Sequence, residues 1–160
     1  MDFGNFMKTL LIIGSVYKLN NDMMKQEDKE LLLKDICARL SYGVKISIPD
    51  LWTQEREIEI LDEIFKGDDG LYRVNSKGQC IEHIKPYLFP LSNLKEDLKQ
   101  EYTYIVNYIN SDDTNNWKEG EFIYVDQFTQ LMHFYHKHHI DYRGLIKKDL
   151  AIDATNLNIY

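Results

Sequence analysis

The most restrictive feature of the chain is a change of period at residues 41–43. Before it, DKELLLKDICARL (28–40) repeats apolar side chains at helical spacing: Leu31, Leu32, Ile36 and Leu40, with Lys34, Asp35 and Arg39 between them. After it, VKISI alternates: Val44, Ile46 and Ile48 on one face, Lys45 and Ser47 on the other. A helix and a strand are therefore separated by only Ser41-Tyr42-Gly43, and the glycine suits a helix end. Asp28 is the expected N-cap, and Pro49-Asp50 the end of the strand. A chain that switches from period 3.6 to period 2 over three residues belongs to a mixed class.

The remaining runs extend this pattern. REIEILDEIFK (56–66) fits both periods, and the turn Gly-Asp-Asp-Gly (67–70) after it favours strand. LYRV (71–74) and QCIEHI (79–84) flank Asn-Ser-Lys-Gly, a hairpin signal. Pro86 and Pro90 argue against regular structure between them. Asn93 and Glu96 have the spacing of a capping box. Leu94, Leu98, Tyr102, Ile105 and Ile109 then share one helical face. SDDTNNWKEG (111–120) reads as a loop and EFIYV as a short strand. A last helix is expected from about Gln127 to His138, with Phe128, Leu131, Met132 and Tyr135 as its apolar stripe.

The expected fold is α+β: a small antiparallel sheet or partly open β-barrel from residues 43–84, packed against three helices (28–40, 93–110, 126–139). YRGLI and LAID would lie across the helices, and Tyr87, Leu88 and Phe89 would anchor sheet to helix. At 160 residues the chain suits a single domain over 1–160, with 1–25 either part of it or a peripheral extension. Its apolar fraction of 44% is enough for a core without covalent staples. TLLIIGSV near the N-terminus is too short to span a bilayer and reads as a buried strand or short helix. Two cysteines, Cys37 and Cys80, make no disulfide framework and suit a reduced, cytoplasmic setting. Cys37, within an apolar helix, is expected in the core.

Charge narrows the function. The net charge is -7, and residues 50–70 hold eight acids against two bases. An acidic surface opposes general nucleic-acid binding, and that segment reads as a solvated strand face. The C-terminal part is locally basic, with Lys137, Arg143, Lys147 and Lys148.

HFYHKHHIDYRGLI (133–146) gathers four of the five histidines into seven positions. Three readings compete. His133, His136, His139 and Asp141 offer the nitrogen and oxygen donors that zinc or manganese accepts, as in a metal-dependent hydrolase. HExxH is absent, and lone His83 is the remaining histidine. A second reading places a small anionic nucleotide against Arg143, Lys147 and Lys148, with Asp141 orienting the Arg143 fork and Tyr142 beside it. The third reading needs no ligand: cationic side chains at a helix C-terminus meet the negative end of its dipole. This third reading is favoured. It leaves no catalytic residue and no cofactor.

Three blocks carry a resemblance: LLLKDICARLSYGVKI (31–46), IKPYLFPLSNL (84–94) and HIDYRGLIKKDLAIDA (139–154). In order and spacing they resemble a group of small proteins encoded by gut Bacteroidales and their phages, with blocks of the form LCARLPYGVKV, IKPYLRPLSSMTEEE and FDYRGLIEKGLALEA. Ser41 stands where that group has proline, and Asp149 where it has glycine. The group has at most one histidine where His136–His139 stand here. The resemblance implies a mobile-element setting in the host cytoplasm and carries over no catalytic residue. The resulting expectation is a non-catalytic accessory protein that binds a host or phage protein.

Overall fold

The computed structural model describes residues 24–50, 55–75, 77–110 and 123–160. The readings of TLLIIGSV and of the 111–120 loop lie outside them. The fold is α+β. Helix α1 (Gln26–Arg39) runs into a 3₁₀ turn (Leu40–Tyr42) and strand β1 (Lys45–Pro49). Strands β2 (Arg56–Ile60), β3 (Ile64–Lys66), β4 (Tyr72–Val74), β5 (Gln79–Cys80) and β6 (Lys85–Leu88) follow. Then come α2 (Glu96–Asn110), α3 (Ile123–Lys137) and the short strand β7 (Ile152–Asp153). Among the described residues no helix is long and apolar enough to cross a membrane.

Among the described residues the strands form two open sheets and no barrel. One has the order β2-β1-β6-β7, the other β3-β4-β5. All ladders are antiparallel except β6–β7, where Tyr87 faces Ile152 and Leu88 faces Asp153 in parallel. LAID is thus a sheet edge, not a strap over helices. Leu145 from YRGLI is fully buried in the core that α1 shares with the sheets.

Two glycine turns form as the sequence requires. Gly70 closes the β3–β4 turn by donating to the Gly67 carbonyl at 2.9 Å. Asn75 and Gly78, both at positive φ, close β4–β5. Asn75 is buried, and its side chain donates to the Ile60 carbonyl at 2.8 Å and accepts from the Asp62 amide at 3.1 Å. It thereby ties the two sheets together.

Several local expectations fail for identifiable reasons. Asp28 lies inside α1, one turn past Lys25 at the cap position, and pairs with Lys148 at 2.7 Å. QCIEHI leaves the ladder at Ile81, which starts a 3₁₀ turn. Pro86 sits within β6, where the proline rule argued against a strand. The ladder to β1 ends at Pro86, and the one to β7 begins at Tyr87, so neither needs to run through the missing N–H. Asn93 belongs to a 3₁₀ turn and donates to Thr155, so the capping box does not form. Ile123–Val125 are helical. No Gly or Pro separates them from the helical stripe, and continuation of the helix overrides β-propensity. Phe134, absent from the expected stripe, is the buried ring of α3, whereas Phe128 is 62% exposed. Cys37 is exposed on α1.

Gly43 adopts φ +65 at the end of the 3₁₀ turn, with open space where a Cβ would sit. A substitution there meets no clash, so its cost is conformational. Gly43→Ala is expected to lower stability by about 1 kcal/mol and Gly43→Asn by less, because asparagine tolerates this region. Urea midpoints at a common slope measure both.

Candidate functional site

The chemistry-bearing side chains meet where the end of α3 packs on α1. The route begins with an error of pattern. Leu32, Asp35, Ile36 and Arg39 are spaced by threes and fours, so Asp35 and Arg39 lie on the apolar stripe of α1. Both are fully buried. Arg39 binds Asp35 through two bonds, Nε at 2.7 Å and Nη2 at 3.2 Å. It also donates to the carbonyls of Tyr135 at 3.3 Å and Ile140 at 2.8 Å. A buried ion pair is tolerated only when its other donors are satisfied in this way.

Those two carbonyls explain the position. Helix α3 ends in a Schellman motif: the Ile140 amide donates to Tyr135 O (2.8 Å) and the His139 amide to His136 O (3.2 Å). His139 takes the left-handed position at φ +52, where glycine is usual. Phe89, just beyond β6, is stitched to this turn, donating to His139 O and accepting from the Asp141 amide. The negative end of α3 is therefore met by Arg39 from another helix, and the histidines do not supply the charge.

Burial lowers the pKa of three of these histidines, His136, His138 and His139. Burial first, then the Arg39 charge, pushes His139 down to about 4. The same two causes lower His136, and burial lowers His138. Their nitrogens diverge. His133 Nδ1 meets Tyr42 Oη at 3.0 Å, His136 Nε2 meets Tyr142 Oη at 3.0 Å, and His138 Nε2 stands 3.5 Å from Glu101. His139 stacks on Tyr160 at 4.2 Å between ring centres, with Nδ1 buried and unpartnered. His139 has left the helix, so His133, His136 and His139 do not share its face. Among the described residues no group of three or more His, Cys, Asp or Glu side chains is placed to hold a metal ion.

The Asp141–Arg143 pairing is replaced by another. Both carboxylate oxygens of Asp141 accept backbone N–H groups, from Leu145 (2.8 Å) and Ile146 (2.9 Å), and so cap the turn that follows. Arg143 turns to Asp35, with Nε 3.2 Å from Oδ1, and donates to Tyr142 Oη at 2.8 Å. Since a guanidinium only donates, the Tyr142 hydroxyl accepts there, and it shares a second hydrogen bond with His136 Nε2 whose direction follows the imidazole tautomer. Tyr142 stacks on Tyr135 at 4.8 Å, with the Arg143 guanidinium 4.8 Å from its ring centre. Lys148 is engaged with Asp28, and Lys147 is exposed.

Beside this cluster lies an open groove of about 720 Å³ between α2 and α3. Buried Phe134 and Ile105 line it, together with Tyr42, Tyr104, His133 and His136. Tyr104 is 71% exposed and stacks parallel to Tyr108 at 6.5 Å. Sequence reasoning missed Asp35 and Arg39. The available signal was their i,i+4 spacing in register with Leu32 and Ile36. Comparison with known protein families, with curated proteins and with solved structures returns no match.

Proposed function

We propose that the protein is a non-catalytic interaction protein that takes a segment of a host or phage protein into the α2–α3 groove. In the mobile-element setting the resemblance implies, it works in the host cytoplasm. The observation that carries this reading is the large exposed ring of Tyr104 on α2, which lines the groove; Phe128, one residue before the lining residue Thr129 on α3, is a second exposed ring. Exposed aromatic surface over a concave apolar floor is what protein recognition uses. The partner segment is basic: the chain carries -7, Glu101 lies in the groove lining, and tyrosine faces attract cations.

A photo-crosslinking residue in place of Tyr104, in the full chain expressed in its host background, tests this. One discrete adduct is expected from position 104 and none from exposed Lys34 on α1. Phe128→Ala is expected to weaken capture about tenfold while the helical signal is unchanged. No adduct at 104, or the same adducts from both positions, would overturn the reading.

A further inference from the structure

The cluster under Tyr142 is unbalanced in charge. Among the described residues Asp35 is the one carboxylate within ion-pair distance of Arg39 or Arg143, and it serves both. Arg39 uses Nε and both terminal nitrogens on Asp35 and two carbonyls. Arg143 uses Nε alone. Its terminal nitrogens have no acceptor among the described residues and reach solvent, with the side chain 18% exposed. The guanidinium is nevertheless fixed in place, against the Tyr142 ring and the Asp35 carboxylate.

Asp141 occupies the amides of Leu145 and Ile146, and residues 142–143 form a turn that brings the Gly144 amide to the Asp141 carbonyl. Gly144, at φ +72, leaves open space where a Cβ would stand. A partly exposed cation on a rigid mount, with a second guanidinium sharing its one counter-ion, offers a place for an anion.

We propose that Arg143 is an oxyanion receptor: its two terminal nitrogens grip two oxygens of a phosphate or carboxylate on a small ligand, which approaches over Gly144. A planar fork held in advance loses little entropy on binding and matches such a group bidentately. This site is separate from the α2–α3 groove and stands or falls independently of it.

The test is an NMR titration of the ¹⁵N-labelled full chain with inorganic phosphate, and separately with acetate, at constant ionic strength set with chloride. The Arg143 Nε–H signal and the Arg143 and Gly144 amides are expected to shift saturably, by more than the amides of exposed Lys147 or Lys148. Saturation by phosphate alone identifies a phosphate ligand, by acetate alone a carboxylate ligand, and by both a general oxyanion receptor. Arg143→Lys keeps the charge and loses the fork, so its half-saturation is expected to rise about tenfold or more. Where that variant does not give a folded spectrum, the wild-type titration decides alone. Shifts that grow linearly, that spread evenly over the surface lysines, or that survive unchanged in Arg143→Lys would overturn the proposal.

Discussion

Replacing Asp35 with alanine is expected to destabilise the protein by about 3–5 kcal/mol, the usual cost of stripping the partner from a buried charge. Asp35 is the counter-ion of two guanidiniums, one of them fully buried. Without it Arg39 keeps its two carbonyl acceptors but no negative charge. The loss corresponds to a fall in melting temperature of roughly 10 °C for a chain this size. The decisive comparison is with Asp35→Leu/Arg39→Met, which removes the buried pair together. That double variant is expected to cost less than Asp35→Ala alone, because no unpaired charge remains in the core. Arg143, partly exposed, can turn to water. Urea unfolding of Asp35→Leu, Arg39→Met and the double gives the coupling. An Asp35→Ala protein within 1 kcal/mol of wild type would show that the pair does not organise the α1–α3 contact.

The second large effect is acid lability. His139 is held neutral with its pKa lowered to about 4, whereas in the unfolded chain it titrates near 6.5. Between these values the unfolded state binds the extra proton, so stability rises with pH there. The contribution is intact above about pH 6.5 and is lost as the pH falls, reaching about 3 kcal/mol by pH 4. His136 and His138 are shifted in the same direction and steepen the loss. Charging His139 also places a cation near Arg39 and Lys45, both of which already disfavour its protonated form. His139→Asn is the informative variant, since asparagine accepts the left-handed backbone and does not titrate. Denaturant midpoints at pH 7.5 and 4.5 should converge in that variant relative to wild type. An equal loss in both proteins would place the titration elsewhere.

Both expectations rest on the same correction to the reading of the cluster. The histidine run suggested cations comforting a helix end. The helix end is indeed met by a cation, but by Arg39, and the histidines beside it are driven neutral by burial and by that same charge. Composition identified the right place and the wrong residues. His139 could not be read correctly, because its role depends on the Schellman turn that takes it off the helix. Asp141 and Arg143, two apart, read as a pair. The backbone between them turns so that Asp141 faces the amides of Leu145 and Ile146 while Arg143 faces α1.

What the amino-acid order determined by itself is local. The helix before Gly43 and the strand after it, the turns at 67–70 and 75–78, and the apolar face of α2 all follow from backbone preference and period, which act over a few residues. Tertiary structure decided the rest. Arg39 finds its carbonyls at Tyr135 and Ile140, near the other end of the chain. Pro86 is admitted to a strand because β6 changes neighbours beside it, and Ile152–Asp153 becomes a strand because β6 presents an open edge. A helical period marks which positions face inward. It does not say whether a charged residue there will meet water or a distant partner, since the free energy of burying it depends on donors and acceptors that only the folded chain brings together.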